Sequence, residues 1–249
     1  MPLREIQLNL EGNEGHEPEH FCLEHVEHIF MDNLPKKIDI DGHEKLIINC
    51  FAKRSEDLDR FVSLKPTIGS FASFEMSGFD TETFRKHSIP EKEKVAALWI
   101  RNALAELSER FEIPIEAINT AHARTVESGF RKEWIRKQSS KSRGDRKLRL
   151  ETHCVYDHSG ISVTLHIKSR QKTIAKTSPD SGRKMRGIKF DYDSVVWEED
   201  CVCIKNAFGD PYLRFRILED NTVELLGSTK AVRLMQRGES LIISTNKNA

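Results

Sequence analysis

Apolar residues recur along positions 90–111 with the period of a helix. Trp99, Ala103 and Leu107 follow one another at four-residue steps, and Ile100, Leu104, Leu107 and Phe111 form an adjoining row. Lys92, Lys94, Arg101, Glu106 and Glu109 fill the opposite side, so this stretch predicts a helix with one broad face laid on a sheet. Ser88 with Glu91 three residues later reads as a capping box, and Pro90 suits a first turn. A second helix is predicted from Pro114, carrying Ile115, Ile118, His122 and Val126 at helical spacing up to Gly129. A shorter one follows Pro18, with Cys22, Val26, Ile29 and Phe30 together and Asn33 and Pro35 at its end.

Elsewhere the period is two. Ile6, Leu8 and Leu10 alternate as an edge strand would, and Asp41-Gly42 between two apolar-bearing runs predicts a hairpin. Residues 61–64 and 70–76 read as further strands. From Lys147 the alternation becomes strong. Leu148, Leu150, Thr152, Cys154 and Tyr156 point one way, and Arg149, Glu151, His153 and Val155 the other. A turn at 157–160 returns the chain with Ile161, Val163, Leu165 and Ile167 inward, and pairing Tyr156 with Ile161 sets Glu151 opposite His166. Residues 178–187 read as a loop, and 188–197, 201–205, 212–218 and 222–226 as strands with turns at Gly209-Asp210 and Asp220-Asn221. A helical turn at 231–236 and an apolar run at 241–243 close the chain. This order predicts an α+β fold, a predominantly antiparallel sheet with two central helices packed on one face. An acidic, His-rich segment 1–35 precedes an α+β domain 36–249, subdivided near the basic loop 138–146.

Composition adds a class. A chain of 249 residues with 38% hydrophobic and 31% charged residues buries a core without staples. No run approaches the roughly 18 apolar residues of a membrane span. The first fifteen residues lack a signal-peptide core, and five scattered cysteines (Cys22, Cys50, Cys154, Cys201, Cys203) argue for free thiols. The expected location is cytoplasmic. Net charge is zero, but residues 1–35 carry one Arg and eight Asp/Glu (−7), whereas residues 131–149 carry nine Lys/Arg and two Asp/Glu (+7).

Four clusters are chemical candidates. His16, His20, Cys22, His25 and His28 crowd the N-terminal segment, and on a helix His20, Glu24 and His28 share a side at metal-ligand spacing, without an H-E-x-x-H or paired-Cys motif. Arg131, Lys132, Arg136, Lys137, Lys141, Arg143, Arg146 and Lys147, with Trp134 among them, suit a phosphate backbone or an acidic partner. Cys201 and Cys203 point to one side of a strand and read as buried apolar residues. Glu151, His153 and His166 make a minimal acid–base set with no nucleophile or oxyanion donor beside it. His122 reads as an interior histidine.

No Gly-rich phosphate loop, nucleophile elbow or zinc-finger spacing occurs, and no cofactor is implied. The leading expectation is a non-catalytic protein-binding domain, of an inhibitor, immunity or adaptor type, steered by its opposite charges. The alternatives are a nucleic-acid binder using residues 131–149, and a metal-dependent or His/Glu hydrolase.

Overall fold

The computed structural model describes residues 2–10, 23–52, 60–64, 70–183, 185–198, 201–218, 223–227 and 243–244. Among the described residues the fold is α+β, with five helices and mostly antiparallel sheets. The chain divides into two compact units, Met1–Lys132 and Glu133–Ala249.

In the first unit, β1 (Glu5–Leu10), β2 (Lys45–Phe51), β3 (Phe61–Leu64) and β4 (Phe71–Ser77) form a sheet in the order β1-β2-β4-β3. Helices α1 (Glu24–Asn33), α2 (Thr81–Lys86), α3 (Ile89–Leu107) and α4 (Ile115–Glu127) complete it. Alternation sends Ile6, Leu8, Leu46, Ile48, Ala72 and Phe74 to one face. There they share a core with Val26 and Phe30 of α1, Ala97, Ile100 and Leu104 of α3, and Ile118 and Ala121 of α4. On the other face a row of side-chain bonds starts along β1, from the Gln7 amide to Asn9 at 2.8 Å, and then crosses the strands, from the Asn9 amide to Asn49 at 3.0 Å and from the Asn49 amide to the Ser73 hydroxyl at 2.7 Å.

The central helix follows its stripe. Ile100, Ala103, Leu104 and Leu107 are buried, and Trp99 and Phe111 pack against the core. At its start the Glu91 carboxylate accepts from the Ser88 N–H at 2.8 Å and from the Ser88 hydroxyl at 2.7 Å. Two local expectations are corrected. Asp41 (φ 50°) and Gly42 (φ 76°) do turn the chain, but residues 36–40 form no strand against β2, which pairs instead with β1 and β4, both parallel to it. The crossover through α1 returns the chain in the same direction, which a hairpin cannot do. The buried face of α4 is Ile118, Ala121 and Thr125, while Ile115 and Val126 are each 37% exposed. Small Ala121 and the Thr125 hydroxyl, which accepts from Asn33 at 3.2 Å, let this face lie close to its neighbours.

Glu27 of α1 is buried, and its carboxylate accepts from the Leu8 N–H of edge strand β1 at 2.7 Å. Burial pushes its pKa from 4.5 up to about 8, against the pull of the Leu8 bond, with Glu24 adding to the rise. A raised carboxyl pKa means that the folded state holds the proton longer than the unfolded one. Its stabilising contribution is complete below pH 4.5 and is lost as pH climbs through about 8. Glu27→Gln keeps a carbonyl acceptor and carries no charge. Its stability relative to the wild type is therefore expected to improve by about 3 kcal/mol between pH 5 and pH 8 in urea titrations. A pH-independent difference would show that the carboxyl stays in contact with water.

The second unit holds two antiparallel sheets. One contains β5 (Lys132–Ile135), β6 (Lys141–Ser142), β7 (Leu148–Asp157), β8 (Gly160–Ser169), β9 (Lys172–Arg183) and β14 (Ile243–Ser244), in the order β14-β9-β8-β7-β5 with β6 also on β7. The other runs β10 (Ser194–Glu198), β11 (Cys201–Lys205), β12 (Pro211–Ile217) and β13 (Val223–Gly227). Their inner faces share a core: Leu150, Cys154, Val163 and Leu165 meet Val202, Ile204, Leu213 and Phe215, with Ile188 and Tyr192 from α5 (Met185–Asp191) and its end.

Two further corrections fall here. The expected loop at 178–187 mostly continues β9, because register shifts between β8 and β9 accommodate Pro179 and Gly182 (φ +66°). The expected strand at 188–197 begins as helix α5: Ile188 and Tyr192, four residues apart, are both buried, and the strand starts at Ser194. The expected turn at Asp220-Asn221 and the helical turn at 231–236 lie outside the described residues. No helix among those described is long and apolar enough to cross a membrane.

Candidate functional site

The alternation that buries Leu150, Thr152, Cys154 and Tyr156 turns Arg149, Glu151 and His153 of β7 to the outer face of the six-stranded sheet. On β8 the same rule turns Thr164, His166 and Lys168 outward. Tyr156 pairs with Ile161, and the register then sets Arg149 beside Lys168, Glu151 beside His166 and His153 beside Thr164, as the sequence reading of the hairpin expects. β9 brings Lys176 next to His166.

Glu151 is the hub of this face. One carboxylate oxygen lies 3.2 Å from the Arg149 guanidinium, and the other accepts from Lys168 at 2.7 Å and from His153 at 3.0 Å. Burial works to raise its pKa. The bonds from Lys168 and His153, with the charges of Lys168 and Arg149, outweigh that and hold it below the usual glutamate range. The His153 and His166 rings stack at 4.0 Å with 15° between planes. Burial, then the His153 ring, Lys176 and Lys168, push His166 down to about 4, with Glu151 pulling the other way.

These shifts bear on chemistry. A general acid or base works best with a pKa near the operating pH. Here the carboxyl moves below its range and the imidazole falls to about 4. Both moves lead away from neutrality, so the arrangement is poorly matched to proton transfer. The Glu151 carboxylate is held by Arg149, Lys168 and His153, and Lys176 beside His166 adds to the cationic surplus of this face.

The basic stretch splits by role. Arg136 is structural: its guanidinium donates to the Tyr192 carbonyl at 2.6 Å and the Lys189 carbonyl at 3.2 Å. Arg143 forms two bonds to Asp145, at 2.6 and 3.0 Å, which with the Lys147 N–H hold the Asp145 carboxyl at about 2. Lys132 pairs with Asp32. Arg131, Lys137, Lys141, Arg146 and Lys147 are exposed. Trp134, expected to offer a stacking ring, packs against the core of the second unit instead.

Arg149, Lys168, Arg170, Lys172 and Lys176 were not singled out in the sequence as binding residues, yet they belong with this stretch. Leu148 pairs with Ser169, so the 143–147 loop and the Arg170-Gln171 turn meet at one end of the sheet. Arg146 (φ 58°) and Arg170 (φ 46°) both sit in left-handed backbone there. That conformation costs a side-chain-bearing residue about 1–2 kcal/mol and suits Gly or Asn better. The chain keeps arginine at both positions. The signal that would have found this end was available in the sequence, namely the outward alternation of the returning strand.

The N-terminal candidates fare differently. Glu24 and His28 lie 3.8 Å apart on a half-exposed helix face. His25 turns inward, its Nε2 lying 2.7 Å from Glu93, and His16, His20 and Cys22 lie outside the described residues. Among those described, no group of three His, Cys, Asp or Glu side chains is placed to hold a metal ion. Cys201 and Cys203 are both buried, with Val202 and Ile204 buried between and beside them. His122 is partly exposed.

Comparisons with protein-family models, with curated proteins and with solved structures find no match.

Proposed function

We propose that the second unit binds nucleic acid through the outer face and cationic end of its six-stranded sheet, without catalysing a reaction on it. The observation that carries this is how the charge divides. The zero total is the sum of two opposed units: residues 1–132 hold 17 Lys/Arg and 24 Asp/Glu (−7), and residues 133–249 hold 22 and 15 (+7). The concentration is sharper within the second unit. Residues 133–189, which include β6 to β9, hold 15 Lys/Arg against five Asp/Glu, a net of +10. A neutral chain therefore presents a strongly basic sheet, the footprint of a phosphate-tracking surface. An acidic protein surface is the competing partner that the same charge allows. A cytoplasmic location belongs to the same proposal and is supported by the free thiols of Cys50, Cys154, Cys201 and Cys203.

The test is fluorescence anisotropy of the full chain with labelled DNA and RNA 20-mers, with poly-glutamate as competitor. Neutralising about five phosphates is expected to cost roughly 100-fold in affinity between 50 and 200 mM salt. Binding insensitive to salt, or poly-glutamate competing as well as unlabelled nucleic acid, would remove the nucleic-acid reading.

A further inference from the structure

Phe208 is 79% exposed, the most exposed large apolar side chain described, and Phe190 beside it is 38% exposed. Their rings meet edge to face, with centroids 5.0 Å apart and an interplanar angle of 82°. The backbone beneath them is braced. In the β11–β12 turn the Asn206 side-chain oxygen accepts from the N–H groups of Phe208 and Asp210, each at 3.0 Å. The Asn206 N–H donates to the Asp210 carbonyl, the Gly209 N–H returns to the Asn206 carbonyl, and Gly209 (φ +85°) closes the turn. The Ala207 N–H donates to the Phe190 carbonyl at 2.8 Å, tying this turn to α5. The backbone under Phe208 is thus fixed while its ring stays in water, where it gains little from folding.

The basic stretch reaches this point. Arg136 is bonded to the carbonyls of Lys189 and Tyr192, which flank Phe190 closely in sequence, so the basic stretch touches the segment that carries Phe190. Asp191 and Asp210 lie within two residues of the rings, which balances the local charge. Attraction of phosphate is therefore strongest on the sheet, and the rings contribute a flat apolar face at the fringe of that field. A base offers a π-face to such a ring only when it is unpaired.

We infer that the Phe190–Phe208 pair is a stacking platform for an unpaired nucleobase, so that the second unit takes single-stranded rather than duplex nucleic acid. The inference rests on the nucleic-acid reading and narrows it to a substrate class. Phosphates are held by the cationic sheet, and a base at the edge of the footprint lies on Phe208. DNA and RNA share this chemistry.

The experiment measures the full-length wild type, Phe208→Ala and Phe208→Trp against a labelled single-stranded DNA 20-mer, the matching RNA and the DNA duplex. Thermal melts check folding, which so exposed a ring hardly affects. The wild type is expected to prefer both single strands to the duplex. Phe208→Ala is expected to lose about tenfold on single strands and to change duplex affinity less than about twofold, while Phe208→Trp holds or gains affinity. The DNA and RNA arms assign the sugar. Equal affinity of Phe208→Ala and wild type for single strands, equal loss on strand and duplex, or wild-type preference for the duplex would each overturn the platform and leave nucleic-acid binding standing. A wild type that binds none of the three overturns the nucleic-acid reading and the platform together.

Discussion

Replacing Glu93 by alanine is expected to lower the stability of the first unit by about 3–5 kcal/mol. Glu93 lies on the inward face of α3, one turn before Ala97 and two before Ile100, where the stripe would place an apolar residue. Its carboxylate is 2.7 Å from the His25 Nε2 of α1, and the two side chains are 8% and 1% exposed. Both polar groups have been withdrawn from water, and each offsets much of the other's desolvation. Removing the carboxylate leaves that cost on the imidazole and opens a void among the packed helices. Urea unfolding of the full chain should show the loss as a lower midpoint at unchanged slope. Replacing both residues with leucine is expected to recover most of it, because a well-packed apolar pair needs no compensation. A loss below about 1 kcal/mol in Glu93→Ala would mean that water reaches the pair.

The second large effect is on binding. Changing Lys141, Arg146 and Lys147 together to glutamate is expected to weaken nucleic-acid affinity by at least about 100-fold at 100 mM salt and to flatten its salt dependence. These three side chains are exposed, on β6 and in the loop that meets the Arg170-Gln171 turn. The choice of residues matters. Arg136 holds two backbone carbonyls and Arg143 holds Asp145, so changing either one confounds binding with local unfolding. A matched triple on the first unit, Lys92, Lys94 and Arg124 to glutamate, controls for net charge, since it alters the total by the same amount on the other unit. Equal losses in both triples would show a general charge effect. An unchanged affinity in the first would remove the cationic end from the interface.

Much of the fold was legible because burial follows local periods. The stripe of α3 and the alternation of β7 and β8 are each written within about twenty residues, and the register of that hairpin followed from one assumed pair, Tyr156 with Ile161. The failures share a cause. Asp41-Gly42 marks a turn whether or not the run before it becomes a strand, and only the folded chain gave β2 its partners, β1 and β4, instead of residues 36–40. Pro179 and Gly182 normally argue against a strand, and it took the bulged register against β8 to keep them in one. At α4 the apolar side chains Ile115 and Val126 advertised a face that packing did not use, because small Ala121 gave the closer approach.

The candidate site shows the same division. The sequence by itself determined the amounts: the opposed charges, the basic stretch, the outward Glu151, His153 and His166, and the lack of any catalytic motif. Each of these is a count or a local spacing. Only the tertiary structure decided which charges are spent and which are presented. It bonded Arg136 and Arg143 to the chain's own oxygens, put Trp134 in the core, and turned His25 inward to Glu93. It also bonded Arg149 and Lys168 to Glu151, left Lys141, Arg146, Lys147 and Arg170 exposed toward one end of the sheet, and left Phe208 in water. The reason is physical. A charge or a ring acts through its distance from other groups and from solvent, and residues far apart in the chain acquire those distances only when it folds.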